Sequence, residues 1–236
     1  MLSFNCTEAA SDFFSRVHKG KKITPVQSPP SATIADDHAG NSKSELSQWL
    51  VHAITVQRKH VLLAIHLQTR YCMIFADMKK ADVDGFVQVF TQRWMNNMLD
   101  HAMQSGVLEW VEYPSMFERF TELNREFSFY RRSDRSAQGH LNEIVWIFKA
   151  HAADAGSLPP DEVAASGYDT WTNRTPRGSK GRKDLYFPDE EMLIHWLQKF
   201  CGASEASAQE ARELRSQLNR ERYAQEWALH KAELGI

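Results

Sequence analysis

Three apolar runs rich in β-branched and aromatic residues lie back to back at residues 49–56, 61–68 and 71–78. Only short polar breaks, at 57–60 and 69–70, separate them. Runs joined by breaks this short pair as hairpins, so the spacing predicts a three-stranded antiparallel meander. One face should carry Trp49, Val51, Ala53, Val61, Leu63, Ile65, Tyr71, Met73 and Phe75. An apolar sheet face needs a cover, and the chain supplies one next. Over residues 81–104 the period becomes helical, with Val83, Phe86, Val87, Phe90, Trp94 and Met98 as a stripe that Gly106 ends.

The flanking segments extend this core. Residues 2–6 alternate as a short strand. Thr7 then caps a predicted helix with Ala9, Ala10, Phe13, Phe14 and Val17 on its apolar side and Gly20 as its stop. Three prolines make residues 24–47 a long loop. A shorter helix follows Pro114, residues 126–131 alternate as a strand, and Ser133 or Asp134 caps a helix to about Ala152. Leu141, Ile144, Val145 and Phe148 share one side of that helix. The predicted class is α+β: an antiparallel sheet of about four or five strands, covered on one face by the helices at 81–104 and 134–152. Gly156, Pro159 and Pro160 mark a boundary, so three parts are expected. They are an α+β domain at 1–155, a flexible basic connector at 156–188 and a mainly helical region at 189–236. Within the last, Leu193, Trp196, Leu197 and Phe200 are the buried side of a first helix. The apolar set of the second drifts around its axis and cannot sustain a coiled-coil seam.

The formal net charge is only −2, so any affinity for nucleic acid or an acidic membrane has to come from a local patch. Cys6, Cys72 and Cys201 are far apart and form no CxxC pair, which argues against structural zinc and for reduced thiols in a cytoplasm. Neither a signal peptide nor a membrane-spanning run is expected. There is no GxSxG elbow, P-loop, GxGxxG turn or HExxH helix, and no cofactor is expected.

Four residue groups stand out. Arg131, Arg132 and Arg135, with Ser136 and Asn142, sit at a helix start, where exposed amide hydrogens favour an anion. The competing reading is that these polar groups only cap and pack. Arg174, Arg177, Lys180, Arg182 and Lys183, with Trp171 and Tyr186 at either end, could follow a nucleic-acid backbone and stack on a base, or simply form a solvated loop. A metal row arises if the first hairpin sets His52 opposite His66 and the second sets His66 opposite Cys72; a one-residue slip removes it. Finally, His140 and Glu143 are three apart on one helix face, as a general acid–base pair would need.

The strand at 2–6 followed by Thr7, the apolar strand opening with Trp49, and the run from Asp134 through Arg135, Ser136, Gly139, His140, Asn142 and Glu143 together resemble a bacterial domain of unknown function, DUF6933. Asp134 stands where the family motif has Asn, and His140-Leu141 where it has Ser-Met. The resemblance covers about residues 1–152, with an insertion at 20–47, and leaves the last 80 or so residues outside. It implies a bacterial or mobile-element origin and no activity. The expected function is a non-enzymatic intracellular binding protein that engages nucleic acid or an anionic protein surface through the arginine-bearing helix start and the basic connector. Two alternatives stand beside it. One is a small enzyme for a phosphorylated or carboxylated substrate; the other is an adaptor docking through Tyr223, Trp227 and Leu234 of the last helix.

Overall fold

The computed structural model describes residues 1–31, 46–178 and 184–234. Its centre is a six-stranded sheet built from β1 (Leu2–Cys6), β4 (Val26–Gln27), β5 (Ser47–Val56), β6 (Lys59–His66), β7 (Cys72–Ala76) and β8 (Phe127–Arg131), in the order β4-β8-β1-β5-β6-β7. The meander β5–β6–β7 is antiparallel as expected. The other half is parallel: β1 pairs with both β5 and β8, and β4 with β8. Parallel neighbours require long crossovers, and β1 reaches β5 and β8 only after such excursions. The sheet is therefore mixed, and larger than the antiparallel one expected.

Helices cover both faces rather than one. On the first face Phe4, Trp49, Val51, Leu62, Met73 and Phe75 meet α1 (Glu8–Phe14), α2 (Val83–Gln104) and α6 (Pro188–Phe200). This core is strongly aromatic, with Trp49 set edge-on to Phe90 and Trp94, and Trp94 to Phe200. On the second face Leu50, Val61, Leu63, Ile65 and Ile74 meet Leu141, Ile144 and Phe148 of α4 (Arg135–Asp154). Val61, Leu63 and Ile65 thus lie opposite to the face assigned from sequence. The first hairpin turns on only two residues, Gln57 and Arg58, both with positive φ (49° and 65°). It pairs Trp49 with His66, and the second hairpin pairs Ile65 with Cys72. An odd register shift moves a whole strand to the other face.

Helix α1 stops at Phe14, not at Gly20. The Ser15 hydroxyl donates to the Ser11 carbonyl, and the chain then doubles back as a two-stranded ribbon, β2 (Arg16–His18) with β3 (Lys21–Ile23). Val17, assigned to the buried stripe, is 74% exposed on that ribbon. After α2 come α3 (Tyr113–Asn124) and β8, as expected.

The stretch read as a connector contains α5 (Glu162–Asn173), whose role is to close the sheet. Strand β7 is an edge, so Cys72 and Ile74 present backbone groups with no strand beside them. Asn173 takes Cys72 from both sides: its Oδ1 accepts from the Cys72 amide at 2.8 Å and its Nδ2 donates to the Cys72 carbonyl at 2.7 Å. Asp169 Oδ1 accepts from the Ile74 amide at 2.8 Å, and Arg93 Nη2 of α2 donates to the Ile74 carbonyl. Three side chains thereby stand in for a seventh strand. Helix α6 belongs to the first core, so residues 189–200 share the interior of the preceding domain. The final helix, α7 (Glu205–Leu234), enters that core through Ala208 and Ala211. Farther along it, Tyr223 and Trp227 are exposed.

Candidate functional site

The helix start of α4 is largely satisfied from within. Asp134 caps it, its Oδ1 accepting from the Ala137 amide at 2.7 Å, so a carboxylate already occupies the positive end. Arg131 pairs with Glu8 at 3.0 Å on the surface, and Arg132 Nη2 donates to the Ser31 carbonyl at 2.5 Å. The Ser136 hydroxyl accepts from Arg70 at 3.1 Å, and Asn142 accepts from Gln138 at 2.9 Å. Arg135 is exposed.

The basic run is split. Arg177 is buried against α4, where its Nη1 meets Glu143 Oε2 at 2.6 Å, and its backbone exchanges two hydrogen bonds with Tyr186. This contact commits the carboxylate that an acid–base pair with His140 would use. His140 is half-buried, and burial, then the Arg177 and Arg70 guanidiniums, hold its pKa below the usual histidine range. Lys180, Arg182 and Lys183 lie outside the described residues.

The metal row does not assemble. His52 sits opposite Leu63, and its Nδ1 lies 2.9 Å from the Thr7 hydroxyl. His66 sits opposite Trp49 on the other face, with Nδ1 3.0 Å from the Thr69 hydroxyl and its ring against His195. Cys72 is on the face away from His66, and burial raises its thiol pKa. Among the described residues no three His, Cys, Asp or Glu side chains are placed to hold a metal ion.

Trp171 and Arg174 meet a different set of partners. Between α2 and α5 lies a cleft of about 560 Å³, lined by Arg93, Asn97, Gln104, Trp171 and Arg174 together with the carboxylates of Asp100 and Glu162, and Asp100 Oδ2 accepts from Gln104 Nε2. Trp171 is 41% exposed at its edge, with its ring 4.7 Å from that of His151. At one end three guanidiniums converge on the single side-chain oxygen of Gln104: Arg222 at 3.0 Å, Arg215 at 3.3 Å and Arg174 at 3.5 Å. An amide oxygen has two lone pairs, so three donors over-subscribe it. Only Arg215 has an ion-pair partner among the described residues, the buried Asp189 at 2.8 Å. Arg174 Nε is buried with no acceptor among the described residues. Burial and the neighbouring arginines lower the pKa of both Arg174 and Arg222, against the opposing pull of Asp189 and Glu226 and, at Arg222, of Asp100.

Behind the cleft a buried polar chain ties these elements together. Asp169 Oδ2 accepts from Asn97, Asn97 donates to the Tyr71 hydroxyl, and Ser166 donates to Asn97 Oδ1. Arg215 Nη2 lies 3.2 Å from His101 Nδ1. Arginine carries only donors, so Nδ1 accepts and the His101 proton sits on Nε2, directed at the Tyr71 oxygen 3.4 Å away. Burial and then Arg215 hold the His101 pKa well below the ordinary value. Burial raises Asp169 to about 7 despite Arg93 at 3.5 Å, because desolvating the carboxylate outweighs that longer ion pair. Burial likewise raises Glu190 to about 7, against the hydrogen bond from Asn219.

The family model described as a domain of unknown function, DUF6933, matches residues 4–191. The chain belongs to that family. The DUF6933 match runs well beyond residue 152, where the sequence resemblance was expected to end. It takes in Trp171, Arg174 and Asp189 and leaves Arg215 and Arg222 of α7 outside. No curated protein and no solved structure matches the chain.

Proposed function

We propose that this DUF6933 protein is a non-enzymatic binding module for an anionic partner, and that its docking site is the α2–α5 cleft rather than the start of α4. The observation that carries this reading is the gathering of Arg174 and Arg222 on a neutral amide oxygen with no carboxylate partner among the described residues. A phosphate or carboxylate would give both guanidiniums the charged acceptor that Gln104 cannot. Nucleic acid is favoured over an acidic protein surface, because the exposed Trp171 ring beside Arg174 offers a base a stacking partner. The free thiols of Cys6, Cys72 and Cys201 suit a cytoplasmic setting. A bacterial or mobile-element role has only the family resemblance behind it.

The test is fluorescence anisotropy with a labelled single-stranded oligonucleotide and, separately, a glutamate-rich peptide. The expected result is binding of the oligonucleotide that weakens about a hundredfold or more in Arg174→Ala/Arg222→Ala, since each of the two charge-assisted hydrogen bonds contributes roughly 1.5–3 kcal/mol. Equal binding by wild type and variant would overturn the reading. Binding of the peptide alone would move it to a protein partner.

A further inference from the structure

The β2–β3 ribbon is a second cationic surface, and nothing in the cleft bears on it. Arg16, Lys19, Lys21 and Lys22 fall within seven residues that contain no acid. All four are exposed, as are Lys79 and Lys80 across a cavity of about 870 Å³ at the base of the ribbon. The acids beside them are engaged. Asp12 pairs with Lys22 at 2.9 Å, and Asp82 caps α2 by accepting from the Gly85 amide. Arg16, Lys19, Lys21, Lys79 and Lys80 have no carboxylate partner among the described residues. The tip turns on Lys19 and Gly20, both at positive φ (50° and 76°). A two-residue turn of this kind favours Asn-Gly, and the lysine Cβ is strained in the left-handed region. The tip thus presents a cation in the left-handed region.

We infer that the β2–β3 ribbon is a contact surface for the phosphate backbone of double-stranded nucleic acid. The pairing puts Val17 and Lys22 on one face and Arg16, His18, Lys21 and Ile23 on the other. Val17 and Ile23, the exposed apolar residues, are therefore on opposite faces, so the ribbon has no apolar side to lay on a bilayer. Lys22 on the first face is paired with Asp12, so the ribbon's cations without a carboxylate partner among the described residues are Arg16 and Lys21 on the second face and Lys19 at the tip. Such an array can follow a phosphate backbone, and the duplex major groove admits a two-stranded ribbon. The near-neutral whole chain is no obstacle, because the cations are concentrated in one place.

The test measures anisotropy of a short labelled DNA duplex with the full chain across a salt series. Arg16→Ala/Lys19→Ala/Lys21→Ala is expected to weaken binding at least about tenfold and to reduce the slope of log K against log salt by roughly 2.7, about 0.9 for each phosphate no longer neutralised. Lys19→Gly removes one charge while relieving the backbone. It should bind two- to threefold more weakly, with the slope lower by about 0.9, and with an unchanged or higher melting temperature. Unchanged affinity and slope in the triple variant would overturn the inference, as would wild-type protein that binds phosphatidylserine vesicles in preference to the duplex. Arg174→Ala/Arg222→Ala in the single-strand assay reports on the cleft alone, so the two readings fail separately.

Discussion

The arginines at the start of α4 and those around Gln104 differ in how they were brought together, and so in what they have left to offer. Arg131, Arg132 and Arg135 are neighbours in sequence. At that location Glu8, the Ser31 carbonyl and the Asp134 cap absorb most of the positive potential. Arg174, Arg215 and Arg222 come from the end of α5 and two turns of α7, and they meet on a helix α2 side chain. Like charges gathered from distant elements repel; Asp189 answers Arg215 directly, while Arg174 and Arg222 feel carboxylates only at longer range and have a neutral amide oxygen as their hydrogen-bond acceptor. A cluster in sequence is thus a poorer guide to a docking point than a convergence in space.

The sharpest way to break this contrast is Arg215→Ala. Arg215 and Asp189 are both fully buried, so removing one partner strands a buried charge and should cost about 3–5 kcal/mol in urea unfolding. A loss below about 1 kcal/mol would mean that Arg215 is as dispensable to the fold as its two neighbours. The next effect is pH-dependent. Folded His101 refuses a proton that the unfolded chain accepts near pH 6.5, so its stabilising contribution is present above that pH and lost as pH falls through it. His101→Gln keeps one acceptor for Arg215 and one donor for Tyr71. Between pH 7 and pH 5 wild type should therefore lose about 1–2 kcal/mol relative to it, and parallel stability profiles would refute this. Asp169 and Glu190 act in the opposite sense, destabilising the fold as pH rises from about 4 to about 7, and are common to both proteins. Arg174→Ala/Arg222→Ala should change stability by less than about 1 kcal/mol, and relief of repulsion could make the sign favourable. Smallest of all is Arg131→Ala, whose exposed pair with Glu8 should contribute within about 0.5 kcal/mol; a larger shift in thermal melting would show that the α4 start is more than a surface pairing.

Much of the architecture could be read before any coordinates. Strands β5, β6 and β7 and helices α2, α3 and α4 follow from local period and turn chemistry, which act over a few residues. What escaped were pairings set by more distant or finer choices. A two-residue turn at Gln57-Arg58 decided the first register, and with it the faces of Val61, Leu63 and Ile65 and the separation of His52 from His66, while the register of the second hairpin set Cys72 apart from His66. Gly20 looked like a helix stop because Phe13, Phe14 and Val17 keep helical spacing, yet it forms a hairpin tip with Lys19. At the cleft, Trp171 and Arg174 were legible as an aromatic and a cation in a polar stretch. Gln104, Arg215 and Arg222 were not, because 111 residues separate Gln104 from Arg215 and nothing local announces that they meet.

The way α5 closes the sheet has a consequence for the protein's behaviour in company. An unguarded outer strand invites a stranger's backbone to zip alongside it, the first step towards fibres. Here the carboxamide of Asn173 mimics a peptide unit and fills the berth at Cys72. With Asp169 and Arg93 holding Ile74 beside it, this carboxamide leaves no berth for a further strand along the β7 edge.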